Sequence, residues 1–253
     1  MSTTLHNACF GVDSHLIDLT GFASVGFTLA RYHVQGFSST ELKKNWIDVS
    51  FDRRVEAWSG YLTEKLRNTG DTGLAYIENE AVVAALPQHE RTQIMAVGRA
   101  VRQGKKWMWA GAPICDMGAP QYGRVDQNQA ANDAEAPVIE SAEGLCPYLY
   151  HPGKSWDDGT FDYPSSAAWC VQEAFRSARG RTLVPMFSLM TGDGYRDLTD
   201  REILGAFAAC RQTGPRGERV GGVALFTQLW QSGDASRAQD NINRAVKLLG
   251  EAA

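Results

Sequence analysis

Cysteine is sparse in this chain, and its spacing is not typical of a metal site or a disulfide framework. The five cysteines are widely separated, their number is odd, and no CxxC motif occurs. A zinc-binding module or a small disulfide-stapled domain is therefore not expected. We expect these residues to be small buried side chains in a reducing compartment. They are Cys9, Cys115, Cys146, Cys170 and Cys210.

Long apolar runs and clusters of positive charge are also missing. No run approaches the ~20 apolar residues that cross a bilayer, and the N-terminal MSTTLHNACFG lacks a basic segment followed by an apolar one. We therefore expect a protein that is cytoplasmic, or exported without a recognisable signal peptide, and that has no membrane partner. The formal net charge is −4 and the basic residues are scattered, so no nucleic-acid partner is expected either. The sequence gives no signal of an oligomeric state.

The chain does contain a repeating series of short apolar runs separated by amphipathic stretches. Continuous apolar runs of this length are typical of strands that are covered on both faces of a parallel sheet. Eight strands alternating with helices predict a single (β/α)8 TIM barrel, one domain over residues 1–253, with a doubly wound open sheet as the alternative. The predicted strands span 7–15, 24–34, 45–50, 73–80, 106–116, 144–151, 182–190 and 220–230.

The amphipathic stretches predict helices. Residues 51–68 have apolar side chains at steps of three and four, and Thr199 to Glu202 has the pattern of a capping box. Further helices are predicted over 165–179 and 234–250. By contrast, the polar stretch 118–137 predicts a long loop leading into a helix, either ordinary surface or a lid.

In a TIM barrel the chemistry lies at the carboxyl ends of the strands. The sequence places acids, histidines and aromatic side chains at these ends. This composition suits sugars, because aromatic rings stack on pyranose rings and acids bind hydroxyl groups and move protons. Two of the aromatic residues, Tyr148 and Tyr150, share a strand face and could equally pack in the interior. The candidate substrate-binding residues are Asp13, His33, Asp116, Tyr148, Tyr150, Phe226, Gln228 and Trp230.

The run GLAYIENEA (73–81) ends in two carboxylates, Glu78 and Glu80. On a strand these side chains would share a face, with Cα atoms about 6–7 Å apart. Like charges at this distance raise the pKa of one carboxyl toward the range of a general acid, and a glycosidase needs such an unequal pair. The alternative is structural: Glu80 begins a helix and Glu78 pairs with an arginine.

Two other functions fit the same strand ends. A metal-dependent hydrolase could use Asp13, His15 and His33 as ligands. The sequence contains neither HExxH nor His-x-His, however, so we expect neither a metal nor another cofactor. A barrel that binds carbohydrate without cleaving it, or that serves as a structural subunit of a virion, is the other possibility.

Taken together, these motifs resemble the chitinase and hyaluronidase type of glycoside hydrolase barrel. That type has an acidic-x-Glu pair ending strand 4, a tyrosine near the end of strand 6 and a tryptophan at strand 8. The matching segments are Glu78-x-Glu80, CPYLYHP (146–152) and GGVALFTQLW (221–230). Residues 182–211 are also similar to the last third of a hyaluronidase barrel. The resemblance implies a TIM-barrel enzyme that cleaves a polysaccharide.

The resemblance also implies a role for each matching residue. Glu80 would be the general acid that protonates the glycosidic oxygen, and Glu78 would orient the substrate or stabilise the oxocarbenium-like centre. Tyr148 or Tyr150 would donate a hydrogen bond near the scissile sugar. The substrate would be a carbohydrate, and no cofactor would be needed.

The sequence departs from this pattern at two positions. Glu78 stands where the family has aspartate, and Trp230 lies further from its strand, which leaves Phe226 as the alternative floor of the site. A competing resemblance is to retaining glycosidases whose strand 4 ends in Asn-Glu, here Asn79-Glu80. Those enzymes have a nucleophilic glutamate at the end of strand 7, and residues 182–190 contain none.

Overall fold

The computed structural model shows an α/β protein whose described strands pair in parallel. The residues that the structure describes are 3–8, 10–11, 14–30, 33–37, 50, 52–53, 56, 59–60, 63–64, 74–78, 86–101, 106–156, 159–191, 194, 196–226, 228–229 and 234–252.

Strands and helices alternate along most of the chain. The strands are β1 (Thr3–Asn7), β2 (Phe10–Gly11), β3 (Phe27–Ala30), β4 (His33–Phe37), β5 (Leu74–Glu78), β6 (Lys106–Ala110), β7 (Gly144–Cys146), β8 (Thr182–Leu183), β9 (Met186–Phe187), β10 (Val223–Leu225) and β11 (Gln228–Leu229). The helices are α1 (Gln88–Val101), α2 (Val125–Ala134), α3 (Ala136–Ser141), α4 (Tyr163–Ala178), α5 (Asp200–Cys210) and α6 (Asp234–Glu251). Short 3-10 turns span Ser14–Leu16, Thr20–Val25 and Lys154–Trp156.

The strands form two larger sheets, in the orders β3-β1-β10-β9 and β4-β5-β6-β7-β8, and a small β11-β2 pair. The run 182–187 joins the larger sheets, because it contains both β8 and β9. On one side the amide of Val184 donates to the carbonyl of Leu145 over 2.9 Å. On the other side the amide of Ala224 donates to the carbonyl of Pro185, also over 2.9 Å.

The strand predicted at 45–50 is not tested, because only Ser50 of this range is described. The first predicted strand, 7–15, is displaced, since β1 spans Thr3–Asn7. Strand β4 is hydrogen-bonded directly to β5, with Val34 opposite Ala75 and Phe37 opposite Ile77. This pairing leaves no room between the two strands for a further strand. Residues 45–49 themselves lie outside the described residues.

The helices follow the predicted pattern, with one correction. The capping box at the start of α5 is confirmed: Thr199 and Glu202 each accept a hydrogen bond from the other's amide. In the predicted helix 51–68, the residues that the structure describes are helical. The predicted loop over 118–137 is wrong in its second half, which forms α2 and α3.

The buried side chains form two layers. The smaller layer, here called the inner cluster, contains alternate residues of neighbouring strands, as expected where one strand face turns inward. The larger layer lies between the strands and the helices and includes Trp107 and Trp109 of β6. The inner cluster consists of Ala8, Met108, Ala110, Cys146, Val184, Met186 and Ala224.

Candidate active site

A pocket of about 260 Å³ opens just beyond the carboxyl ends of β6 and β7. Its residues come from the two segments that follow these strands, 115–117 and 148–156. This is the edge of a parallel sheet at which ligands bind in α/β folds. The pocket is lined by Cys115, Asp116, Met117, Tyr148, Tyr150, Pro152 and Trp156.

Three neighbouring rings form an aromatic wall, defined as Tyr148, Tyr150 and Phe226. The rings of Tyr148 and Tyr150 lie with centroids 4.9 Å apart and planes inclined by 23°. The ring of Phe226 lies 5.4 Å from that of Tyr150. All three pack against the inner cluster and remain half-buried. Two of the three, the tyrosines, also line the pocket, so the wall presents apolar ring surface to a ligand.

Sequence reasoning missed a second aromatic group at the rim, made by Tyr122 and Trp156. Their rings meet edge to face with centroids 5.4 Å apart. Both rest on Gly118, where an added Cβ would lie 2.3 Å from Cζ3 of Trp156 and 2.8 Å from Cδ2 of Tyr122. Only glycine therefore allows both rings to close over this turn. In the sequence, each of these two segments shows only one aromatic residue among polar ones. That pattern does not indicate that the two rings are in contact.

The carboxylate of Asp116 lies in the pocket and is already engaged. It accepts hydrogen bonds from Nε and Nη2 of Arg124 over 2.7 and 3.0 Å, and a third from the amide of Gly118 over 3.0 Å. The hydrogen bonds that Arg124 donates to Asp116 raise the pKa of its guanidinium, which stays charged. The guanidinium also sits 5.0 Å above the ring centroid of Tyr122. Asp116 lines the pocket, its predicted role in substrate binding stays a prediction, and the sequence did not predict its ion pair with Arg124.

A buried polar network holds the segment after β7 in place. Nδ1 of His151 accepts from the amide of Gly153 over 3.1 Å, and Nε2 lies 3.5 Å from Oε1 of Glu202. Burial alone would raise the pKa of Glu202, but the bonds from Arg196 and Thr199 lower it to about 2. This network ties the backbone beside Tyr150 to the start of α5.

Glu78, the first of the two predicted carboxylate residues, lies at the same edge of the sheet. Glu78 is the last residue of β5 and is opposite Ala110 of β6. Ala110 is in turn opposite Cys146 of β7, two residues before Tyr148, and both belong to the inner cluster. Glu80 lies outside the described residues, so the structure describes only the first member of the pair.

Of the remaining predicted site residues, His33 and Gln228 are described but do not line the pocket. His33 is the first residue of β4, opposite Leu74, so it lies toward the amino end of this strand pair and not at the carboxyl end. Gln228 belongs to β11 and is opposite Phe10 of β2. Asp13 and Trp230 lie outside the described residues.

Comparison with solved structures identifies the fold. Bee venom hyaluronidase matches 80% of this chain and 76% of its own, with 14% identity and a TM-score of 0.59. Its complex with a hyaluronic acid tetramer matches 79% of this chain and 74% of its own, with 12% identity and a TM-score of 0.56. The endo-β-N-acetylglucosaminidase of Cordyceps militaris matches 98% and 80%, with 14% identity and a TM-score of 0.50. The chain has a chitinase/hyaluronidase-type glycoside hydrolase fold. No protein-family model and no curated protein matches the sequence.

Within this hyaluronidase-type fold, the described residues offer little to a metal. They contain no group of three histidine, cysteine or acidic side chains placed to bind one ion. His15, one of the predicted metal ligands, lies exposed in the turn Ser14–Leu16. As for a membrane, none of the helices in the described ranges is both long and apolar enough to span a bilayer.

The described cysteines are free thiols, and three of the four are buried. Burial raises the pKa of Cys210 to about 12. These three behave as the small buried side chains that the sequence predicts. Cys115 is the exception, because it is partly exposed and lines the pocket.

Proposed function

We propose that this protein is a glycoside hydrolase that cleaves a polysaccharide by carboxylic general-acid catalysis. The observation that supports it most directly is the aromatic-lined pocket at the same sheet edge as Glu78. One solved structure with this fold holds a hyaluronic acid tetramer, and another is an endo-β-N-acetylglucosaminidase. From these two structures we infer only that the ligand of this chain is a carbohydrate polymer.

We infer that the two larger sheets close into one barrel within a single domain over residues 1–253. Strand β3 pairs with β1, and β4 pairs with β5. Only two residues separate β3 from β4, whereas a crossover between parallel strands needs a dozen or more. Strands β3 and β4 would therefore join the two sheets, with β1 on one side and β5 on the other.

The proposed chemistry assigns one role to each carboxyl group. Glu80 donates a proton to the glycosidic oxygen as the bond to the anomeric carbon breaks, and water then adds to that carbon and returns a proton to Glu80. Glu78 remains ionised and stabilises the positive charge that develops at that carbon. The aromatic wall holds the sugar by stacking, with Tyr148 or Tyr150 near the scissile unit. Trp230 and Gln228, which follow β10, would complete the binding surface, and Asp13 would add a hydroxyl-binding acid.

Hydrolysis is tested by reducing-end release from a panel of neutral and acidic polysaccharides. Glu80→Gln is expected to lower the rate by roughly 100- to 10,000-fold, the usual contribution of a general acid, while binding is retained. Glu78→Gln should also slow cleavage. Glu251→Gln is a suitable control, because its side chain is 62% exposed on the last turn of α6.

Two outcomes would contradict the proposal. One is a wild-type protein that cleaves no glycan in the panel. The other is an unchanged rate for Glu80→Gln. A wild-type protein that binds a glycan without cleaving it would instead support the non-catalytic carbohydrate-binding alternative.

A further inference from the structure

The charge in the lining of the pocket is unusually simple. Among the described lining residues, Asp116 is the one with an ionised side chain, and none is basic. The other lining residues are aromatic, apolar or thiol side chains. A ligand in this pocket therefore meets ring surface and a single carboxylate.

Arg124 forms an ion pair with that carboxylate from outside the pocket lining. Two hydrogen bonds of 2.7 and 3.0 Å form the forked arrangement in which a guanidinium matches a carboxylate. The ring of Tyr122 supports the other face of the guanidinium at 5.0 Å. Nε and Nη2 of Arg124 are thus engaged by Asp116, and Arg124 is not itself a lining residue.

We propose that the Asp116–Arg124 pair makes this pocket selective for uncharged sugars, with Asp116 as the specificity-determining residue. A sugar carboxylate would face Asp116, a like charge, and would find the guanidinium already bonded. An uncharged sugar has no such penalty and still stacks on the rings. This inference rests on the proposed carbohydrate function. It predicts a preference opposite to that suggested by the solved complex with a hyaluronic acid tetramer.

The pair also predicts how the preference can be changed. Asp116→Asn keeps an oxygen that can accept from the amide of Gly118, yet it removes the negative charge. Nε and Nη2 of Arg124 then no longer donate to a carboxylate within the protein. A charge-assisted contact then becomes available to a sugar carboxylate.

The experiment measures equilibrium binding of two tetramers by titration calorimetry. One is the neutral tetramer of N-acetylglucosamine and the other is a hyaluronic acid tetramer. The wild type should bind the neutral tetramer at least about tenfold more tightly. Asp116→Asn should raise affinity for the acidic tetramer by about tenfold, the effect of one added charge-assisted bond. The gain should shrink as salt is added, and the ratio of the acidic to the neutral affinity should rise in this variant.

Two further variants complete the design. Arg124→Gln leaves Asp116 uncompensated and should weaken the acidic tetramer further, with little effect on the neutral one. Asp133→Asn is the matched control, because it breaks another exposed carboxylate–arginine pair, with Arg176 over 2.8 Å, outside the pocket lining. It should change neither affinity. Thermal unfolding of each variant verifies that it is folded.

The possible results separate this inference from the catalytic proposal. Binding of the neutral tetramer without hydrolysis of any glycan would contradict catalysis and still support charge selection. Equal wild-type affinities, or an unchanged ratio of affinities in Asp116→Asn, would overturn charge selection alone. Failure of both tetramers to bind the wild type would overturn both proposals.

Discussion

Tyr148 stacks on Tyr150 with ring centroids 4.9 Å apart and an angle of 23° between the planes. The two residues are separated by one position, so their side chains leave the same face of an extended chain. The stack rests on the inner cluster and also lines the pocket. Interior packing and ligand binding were alternatives in the sequence, but here the same rings can serve both.

We expect Tyr150→Ala to weaken both the fold and the binding of sugars. Tyr150 contacts the rings of Tyr148 and Phe226, and each aromatic pair contributes about 0.5–1.5 kcal/mol beyond area burial. The variant should therefore lose about 1–3 kcal/mol of unfolding free energy in urea. Its affinity for the neutral tetramer should fall, because part of the stacking surface is gone. Tyr150→Phe keeps the rings, so a similar loss of stability in that variant would argue against stacking as the cause.

Adding a single methyl group at Gly98 should lower the stability of the protein strongly. A Cβ at this position of α1 would lie 2.0 Å from Cε2 of Trp107, which is fully buried in β6. Since the indole cannot move without disturbing the core, Gly98→Ala should destabilise the protein by about 1–3 kcal/mol. Urea unfolding measures this change.

Gly60→Ala is the control for that substitution. Gly60 is helical and exposed, and nothing lies within 4 Å of its added Cβ. The alanine should therefore stabilise the helix by roughly 0.5–1 kcal/mol. Equal effects of the two substitutions would show that the contact with Trp107 is not the cause.

The sequence predicts most strands because each is a short apolar run covered on both sides. Strands β5 to β7 all begin within a residue or so of the predicted runs. Whether β4 and β5 pair directly depends on partners that are distant in sequence, and local apolar content does not encode that choice.

The helix α2 could not be predicted, because its polar side chains are satisfied by distant partners. Asn132 is buried, and its Nδ2 donates to the carbonyl of Ile114 and to Oε1 of Glu173. Such contacts turn an asparagine-rich stretch from a predicted loop into a packed helix. The ion pair of Asp116 with Arg124 was missed for a local reason. It joins two residues across a turn that no simple periodicity describes.

Glu202 should make stability depend on pH in the acidic range. Its carboxylate accepts from Nη1 and Nη2 of Arg196 over 2.8 and 2.9 Å and from the amide of Thr199 over 2.7 Å. These bonds lower its pKa from 4.5 to about 2, against the opposing effect of burial. Between these pH values the unfolded chain binds more protons than the folded one, so stability rises with pH. The contribution is complete above about pH 4.5 and is lost as the pH falls through 2.

Glu202→Gln tests this dependence, because it removes the charge and keeps the shape. At about pH 7 the variant should lose roughly 1–3 kcal/mol, the range for a cap and a charge-assisted bond. In urea unfolding the difference from the wild type should be nearly the same at about pH 5 and clearly smaller at about pH 3.5, since below pH 4.5 the wild type loses what the variant already lacks. Glu251→Gln, whose side chain is 62% exposed, should match the wild type at each pH. A Glu202→Gln deficit that is constant across this range would show that the carboxylate is not held ionised by Arg196 and Thr199.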